Sequence, residues 1–435
     1  MTMEEFDTLV VGAGVSGLAA AHDLHHAGRK VLVVESSNRP GGRVARIEHR
    51  GDTAEAGAQG YFDNYTQARE LLAHYGLDGD LRASGGKSLY LMPDGSRRSV
   101  ASNFDLLKLL GLRGALDLAR FYFGYVRRPR DFSPFEIAEP VPQSDAVSAA
   151  EEFAWAGRAF RDLVLRPMTH MMTTSTLEET GLYYFLNVLG QTAHKNYYLL
   201  GGNARLAEKM AQALPVRYGT AVKSLHMSDR EIAGVELEDG SVLKARHVIL
   251  ACPAGAASKI LPAEFGGLKA FLNDFPHTRY ALVYFFLDGP LEEDAYFFCG
   301  HPNRETIFNA AINHSVYTPE HVPSGQALIS AWAAFPDSER IALWSDAAVI
   351  DQARQDLRPL IPGLEGKIQH VAVVRHDWGV ARYDPGMYRK ITAFKAQAEC
   401  VRGLSFAGTD FDCPHMEGGI RSGKRAAARA MRPSF

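Results

Sequence analysis

The stretch Asp7–Leu18 decides the fold, and it reads Asp-Thr-Leu-Val-Val-Gly-Ala-Gly-Val-Ser-Gly-Leu. Its apolar run, residues 9–11, predicts a buried parallel strand. The first glycine permits a tight turn, the second lets the backbone approach a pyrophosphate, and the third allows close helix packing. A helix from about residue 16 to 27 would direct its free N–H groups at the phosphates. The residues predicted to contact a dinucleotide here are Gly12, Ala13, Gly14, Ser16 and Gly17.

A second strand extends this site. Residues 31–34 are apolar and deliver Glu35 to the position where an acid accepts hydrogen bonds from a ribose 2′-OH. A carboxylate at this position disfavours a 2′-phosphate, so NADP is not expected. A glycine-rich turn without a ligand is the alternative interpretation. The strand before the turn, the helix after it and the acid at the right distance favour a bound dinucleotide.

The element Gly41-Gly42-Arg43 separates FAD from NAD. Gly42 would allow a second close backbone approach, and Arg43 supplies a planar cation for phosphate or for the flavin edge. The run from residue 31 to residue 43 resembles the flavin-containing amine oxidase superfamily, which also holds protoporphyrinogen oxidases and carotenoid desaturases. NAD dehydrogenases do not usually carry this element, so the resemblance implies FAD.

The C-terminal region carries the most specific resemblance. Phe406–Asp410 resembles the monoamine oxidase motif Phe-Ala-Gly-Thr-Glu, with Asp410 in place of the glutamate and Gly408 at the turn. The resemblance implies that this acid accepts a hydrogen bond from the ribityl chain. Met416–Gly419 resembles Met-Glu-Gly-Ala at the start of a helix, and Met416 is counted with the cofactor site. That helix end would stabilise negative charge on the reduced flavin.

Further matches imply an interleaved α/β protein. Gly57 and Ala58 match a family Gly-Ala that passes close to the isoalloxazine, and Val222 matches a valine whose backbone pairs with adenine. The expected fold is a Rossmann-like FAD-binding domain interleaved with a substrate domain of mixed sheet and helices. The predicted segments are 1–80, 200–265 and 375–435 for FAD, and 81–199 (helical) and 266–374 (mixed sheet) for substrate.

The substrate side is defined by two aromatic positions. Trp378 and Tyr388 have the ten-residue spacing of the family, which makes Tyr388 one wall of an aromatic cage. His415 stands where the family has the second wall, and it is either a donor or base near the flavin or a pocket residue without a chemical role. Met387 replaces the cysteine that some members bond to flavin, so FAD is expected to be non-covalent.

The reaction is left open among three interpretations. Many amine oxidases place a lysine in the stretch that matches Thr278–Tyr284, which here contains none; Tyr280 lies nearest to that position. The first interpretation is amine oxidation with O2 as electron acceptor. The second is a dehydrogenase or desaturase that forms C=C or C=N bonds in a larger molecule and feeds another acceptor. The third is a flavoprotein without net oxidation, such as an isomerase.

Composition indicates a cytoplasmic enzyme without nucleic-acid partners. The 435 residues carry a net charge of −3, and 46% of them are hydrophobic. The four cysteines have no metal spacing, and no metal site, signal peptide or transmembrane segment is expected. Tyr183, Tyr184 and His194 are candidates for a pocket lining. The sequence does not specify the substrate or the oligomeric state.

One predicted helix has two alternative interpretations. Asn103 is expected to cap a helix from residue 104 to 126, followed by basic residues 127–130. This helix is too charged to span a bilayer. It either packs within the substrate domain or makes a peripheral contact with a membrane surface.

Overall fold

The computed structural model describes residues 5–127, 134–229, 231–300 and 306–432. The strands in these ranges are β1 Glu5–Val11, β2 Val31–Val34, β3 Arg46–His49, β4 Asp52–Glu55, β5 Tyr61–Phe62, β6 Leu81–Ala83, β7 Lys87–Leu91, β8 Arg97–Val100, β9 Asn196–Leu199, β10 Val216–Arg217, β11 Val222–Ser228, β12 Glu231–Leu237, β13 Val242–Leu250, β14 His277–Leu287, β15 Ala295–Gly300, β16 Ala310–Asn313, β17 Ala327–Trp332, β18 Ile368–Ala381 and β19 Leu404–Phe406.

The α-helices of the described ranges are α1 Val15–His26, α2 Thr66–His74, α3 Asn103–Phe121, α4 Ala149–Glu152, α5 Arg158–Phe160, α6 Arg166–Thr173, α7 Leu182–Gln191, α8 Ala204–Ala213, α9 Ala254–Ile260, α10 Gly266–Asp274, α11 His314–Tyr317, α12 Asp337–Ile341, α13 Asp346–Leu357, α14 Met387–Glu399 and α15 Met416–Ala430. The mixed α/β class expected from the sequence is confirmed. The division into cofactor and substrate segments stays a prediction.

The first large sheet is built from segments far apart in the chain. Its strand order is β10-β2-β1-β13-β12-β11, and β19 adds to β13. β1 lies parallel to both β2 and β13, as the apolar runs predict for strands covered on both faces. Alternate residues serve the two faces: Val10 and Val33 pack towards α1 and α15, whereas Leu9 and Val34 belong to the core on the other side.

The second large sheet lies in the order β18-β14-β17-β16-β15-β7-β8. It is antiparallel except for the pair β15 and β7. β14 is apolar and buried over most of its eleven residues, because α12 and α13 pack against its sheet. Two smaller sheets have the strand orders β3-β4 and β5-β9-β6.

Close packing of α1 on α15 requires glycine. A Cβ at Gly423 would lie 2.0 Å from the carbonyl oxygen of Ser16, and one at Gly17 would lie 2.0 Å from that of Gly12. Any side chain at these positions would therefore force the helices away from each other or from the turn. The packing brings the first turns of α1 and α15 side by side at the end of β1.

The structure corrects the start of the helix expected at residue 104. Ser102, not Asn103, is the N-cap, because its Oγ accepts from the backbone N–H of Asp105, and Asn103 is already helical. The helix is interrupted at Gly111, where φ is 65°, and a π-helical turn over Tyr122–Val126 follows it. Within the described ranges, no helix combines the length and the apolar character that a membrane crossing requires.

Candidate cofactor and substrate site

The two glycine turns lie next to each other at the end of β1. Gly14 and Gly41 form a parallel bridge, and the Gly41 N–H donates to the carbonyl of Ala13 at 2.8 Å. A Cβ at Gly42 would lie 3.5 Å from the Cα of Gly14, whereas one at Gly14 would meet nothing within 4 Å. The space beside Gly14 is therefore open to a ligand while the backbone around it is closely packed. This cradle fits the pyrophosphate of a dinucleotide at the N-terminus of α1.

Glu35 links the first turn to the end of β2. Its carboxylate accepts from the backbone N–H of Ala13 at 2.8 Å and from that of Ser37 at 2.9 Å. The side chain is only partly buried, so part of it stays accessible beside the turn. Val222 begins β11 two residues after Thr220, whose N–H donates to the Glu35 carbonyl at 2.8 Å. The residues assigned to ribose and adenine thus share one corner of the sheet.

The first turns of α1 and α15 meet beside this cradle. Ser16 is buried, and a Cβ at Gly419 would lie 2.8 Å from its Oγ. The Gly408 N–H donates to Ser422 Oγ at 3.1 Å, which fixes the turn after β19 to α15. Met416 is 8% exposed at the start of α15. Two helix N-termini therefore converge on one region, an arrangement that favours a bound anion.

A buried ion-pair group joins both ends of the chain. Asp410 is 1% exposed and accepts from the Ala254 N–H at 2.8 Å, from His277 Nε2 at 2.8 Å and from Arg43 at 3.3 Å. Although burial alone would raise the pKa of Asp410, the charges of His277 and Arg43 hold it well below its usual range. Asp410 is therefore ionised, with protein donors on both oxygens. Its predicted bond to the ribityl chain stays a prediction.

His277 was missed by the sequence analysis. It begins β14, and its side chain is 4% exposed in an ion pair with an acid more than a hundred residues away. A single histidine before an apolar strand gives no signal of this partnership. The requirement that a buried acid needs donors predicts that some partner exists, but not which one.

Gly57 and Ala58 lie directly on the backbone of Arg43. A Cβ at Gly57 would stand 1.9 Å from the Arg43 carbonyl oxygen, and the Ala58 N–H donates to the same oxygen at 3.1 Å. His376 Nε2 bonds to the carbonyl of Ala56 at 2.6 Å on the other side. The segment predicted to pass the isoalloxazine is therefore held against the residue predicted to contact the flavin edge.

Tyr388 belongs to a tyrosine group formed by Tyr183, Tyr184, Tyr383 and Tyr388. Its ring centroid lies 4.7 Å from that of Tyr183 and 5.0 Å from that of Tyr383. The side-chain amide of Asn187 donates to its hydroxyl at 3.2 Å. Burial raises the pKa of Tyr388 well above its ordinary value, so the phenol is neutral. His194, by contrast, is exposed and bonds to Asp63, away from this group.

His415 is the N-cap residue of α15 and stands among other rings. Its centroid lies 6.3 Å from that of Tyr65 and 6.1 Å from that of Phe135. Its Nε2 is buried and has no hydrogen-bond partner among the described residues. Burial lowers the pKa of His415 to about 4, so the imidazole is neutral near pH 7. The two predicted cage walls, Tyr388 and His415, are therefore both uncharged, and they pack on different aromatic neighbours.

Glu417 has a structural task that the motif did not reveal. It is fully buried and accepts from the backbone N–H groups of Gln67 at 3.0 Å and Ala68 at 2.9 Å. Arg421 Nε donates to the same carboxylate at 2.8 Å. Glu417 therefore caps the N-terminus of α2 and ties it to the helix that begins with Met416.

Known flavoproteins resemble this chain over nearly its whole length. The family profile described as flavin containing amine oxidoreductase matches residues 15–431. Coproporphyrinogen III oxidase of Bacillus subtilis (strain 168) is 22% identical over 97% of this chain and 97% of its own length. Among solved structures, a candidate protoporphyrinogen oxidase from Exiguobacterium sp. 255-15 superposes with a TM-score of 0.78, at 18% identity and 99% coverage of both chains. Cyclohexylamine oxidase from Brevibacterium oxydans IH-35A gives 0.70, at 21% identity and 98% and 99% coverage.

Proposed function

Because this chain belongs to the flavin-containing amine oxidoreductase family, it is an FAD-dependent oxidoreductase, and we propose that it oxidises a small amine. A substrate C–H next to nitrogen would lose a hydride, and water would hydrolyse the imine that results. When bound, FAD supplies N5 as the hydride acceptor, and O2 then removes the two electrons as peroxide.

The cofactor roles proposed for this chain follow from the donors in the cradle. The glycine turns at residues 12–14 and 41–42 would hold the pyrophosphate, and Glu35 would accept from the ribose. Arg43, fixed by its pair with Asp410 at 3.3 Å, would face the flavin edge from the segment that also carries Gly57. Met387 is buried at the position of the family's flavin-bonded cysteine, so the cofactor would be held without a covalent bond.

The buried ring of Tyr388, packed beside Tyr183 and Tyr383, is the observation that carries amine chemistry. A cationic wall would repel a protonated amine and would disfavour positive charge that develops on the reacting carbon. The phenol of Tyr388 is uncharged near pH 7, and burial lowers the pKa of His415 to about 4, so that its ring is uncharged as well. The electron-rich face of Tyr388 would then stabilise that developing charge. The unpartnered Nε2 of His415 would accept a hydrogen bond from the substrate or a water.

An anaerobic reduction assay tests this proposal. The purified protein should show a flavin spectrum that a member of a panel of primary and secondary amines bleaches, and air should restore it with release of peroxide. The N-acetyl derivative of the same amine is the control and should not bleach the spectrum, because its nitrogen lone pair is delocalised into the carbonyl. A flavin spectrum that no amine bleaches would contradict the proposal.

Desaturation of a larger apolar molecule is the second candidate. It is favoured by the absence of a lysine in Thr278–Tyr284 and by the exposed apolar face of α3. The exposed apolar residues of α3 include Phe104, Leu112 and Leu116, which are 64%, 82% and 61% exposed. They would rest on a membrane surface from the cytoplasmic side and admit a substrate that partitions into lipid.

The products distinguish the candidates. A product with an extra double bond and no peroxide would support desaturation with another electron acceptor. Peroxide together with an aldehyde or ketone would support amine oxidation. A flavin that turns over with neither class of substrate would support a role without net oxidation.

A further inference from the structure

Three histidines form a cluster at the end of the cofactor domain that lies away from the glycine turns. His22 and His26 stand one turn apart on α1, and His74 is the last residue of α2. One ring nitrogen of each lies within 4.8 Å of those of the other two. His22 is partly buried, and the other two are exposed. None of these three histidines is among the residues assigned above to the cofactor or the substrate.

Hydrogen bonds orient two of these rings. His26 Nδ1 lies 2.8 Å from the carbonyl oxygen of His22. Because a carbonyl only accepts, Nδ1 is the protonated nitrogen in the neutral form of this ring, and Nε2 then keeps its lone pair for a metal. His22 Nδ1 lies 2.8 Å from the hydroxyl of Tyr75, which is able to accept in the same way. A backbone carbonyl or hydroxyl behind one ring nitrogen is the arrangement that supports metal-ligating histidines.

The C-terminal ends of two helices favour a cation here. Both α1 and α2 end at the cluster, so their last carbonyl groups present partial negative charge. The nearby Lys424 acts against a bound cation, and its ion pair with Glu70 at 3.3 Å offsets part of that charge.

We propose that His22, His26 and His74 bind one divalent transition-metal ion such as Zn2+. Three imidazoles and a water complete a tetrahedral zinc site. Zinc–nitrogen bonds of about 2.0–2.1 Å require the ligand nitrogens to lie roughly 3.3 Å apart. The rings would therefore draw together from their present separation, which side-chain rotation of the two exposed histidines permits.

The bound ion would join two helices whose other ends serve the cofactor. α1 begins at the Gly14 turn, and α2 begins where Glu417 caps it. His26 lies roughly 15 Å along α1 from Ser16, so the ion would not touch the reacting groups. The site is therefore structural, and its effect should appear in thermal stability and metal content rather than in the chemical step.

Metal counting on the tag-free flavoprotein tests the proposal. After treatment with a chelator, the protein is dialysed against buffered Zn2+, and bound zinc is counted by elemental analysis. We expect one zinc per chain and a higher unfolding temperature with Zn2+ than without it. His26→Gln and His74→Gln should each weaken binding at least roughly 10-fold, since even loss of a supporting hydrogen bond costs that much at metal sites. Tyr75→Phe should give a smaller loss.

His25→Gln is the matched control, because His25 is an exposed neighbour on the same helix outside the three-histidine cluster. It should retain the zinc of the unmodified protein. The flavin spectrum of each variant reports that the domain is folded. A chain that takes up no stoichiometric zinc would overturn the proposal. So would zinc retention in both His26→Gln and His74→Gln, or an equal loss in His25→Gln.

Discussion

At the scale of single residues, Glu35 has two tasks that one carboxylate can perform together. The sequence analysis assigned it to the ribose, and the structure adds that it accepts from the N–H groups of Ala13 and Ser37. The carboxylate thus holds the first glycine turn in shape and would leave its remaining lone pairs to the cofactor. Loss of the acid should therefore affect the cofactor more than the sheet.

We predict that Glu35→Ala weakens FAD retention sharply while the sheet stays folded. A hydrogen bond to a charged group contributes about 1.5–3 kcal/mol, which corresponds to roughly 10-fold to 100-fold in affinity. The ratio of flavin to protein absorbance after gel filtration measures retention, and far-ultraviolet circular dichroism measures the fold. Glu5→Ala, which removes an exposed acid from β1, is the control. Full flavin occupancy in Glu35→Ala would count against the ribose role.

The ring and the hydroxyl of Tyr388 have to be tested separately, because the hydroxyl bonds to Asn187. If the ring alone forms the cage wall, Tyr388→Phe should keep amine-dependent flavin reduction within roughly 10-fold. Its stability should fall by about 0.5–1.5 kcal/mol, the net worth of one hydrogen bond. Tyr388→Ala, which removes the ring, should lose most of the reduction rate. Stopped-flow absorbance gives both rates, and a collapse in Tyr388→Phe would show that the hydroxyl takes part.

At the scale of elements, α3 bears on the two alternatives that its sequence left open, packing in its domain or contact with a membrane surface. Leu110, Gly114 and Phe121 are buried against the helical core. The opposite face is apolar and exposed, with Leu112 at 82%. Exposed leucines at this density are unusual on a surface that faces only water. The helix therefore packs in its domain, and its exposed apolar residues are the basis for proposing a peripheral membrane contact.

We predict that the double variant Leu112→Glu/Leu116→Glu reduces binding to vesicles that contain anionic lipid. The apolar face supplies burial into the interface, and new acids would also be repelled by the lipid charge. Cosedimentation with the vesicles measures the bound fraction. Leu343→Glu is the matched control, because Leu343 is 77% exposed and lies outside α3. Equal binding by the unmodified protein and both variants would contradict a membrane contact through α3.

Helix ends show the limit of local prediction. Asn103 and Ser102 are both good N-cap residues, and the choice depends on which side chain reaches the N–H of Asp105. The cap of α2 is harder still, because it is Glu417, about 350 residues away in the chain. A local motif search finds the first kind of cap within one residue. It has no means of finding the second kind.

At the scale of the whole molecule, the sequence predicted those parts of the fold and site whose chemistry is local. The turn at residues 12–17 and the strand before Glu35 have the predicted form, because periodicity and glycine placement determine them. The partners His277 for Asp410 and Asn187 for Tyr388 were not predicted. These pairs exist only after distant segments pack together, and an isolated histidine or asparagine carries no sign of its partner.

Buried ionisable groups give the molecule opposing responses to pH. Burial raises the pKa of Glu55 to about 8, so the folded state holds a proton there that the unfolded state has released. Stability from this group is complete below its unfolded pKa of 4.5 and is lost as pH rises towards 8. Burial lowers the pKa of His170, His247 and His415 to about 4 and that of His314 to about 3. The stability that these four histidines contribute is instead lost as the pH falls.

We predict that the histidines make the protein lose stability as pH falls from 6.5 towards 4. In this pH window the histidines bind protons in the unfolded chain but not in the folded chain. Each of them therefore lowers the free energy of unfolding by up to about 1.4 kcal/mol per pH unit. Urea unfolding at a series of pH values measures the slope. His314→Gln should make the slope of the unfolding free energy against pH shallower. If the substitution only lowered stability by the same amount at every pH, the slope would stay unchanged. The exposed His25→Gln should leave the slope unchanged. An unchanged slope in His314→Gln would show that His314 binds its proton equally well in both states.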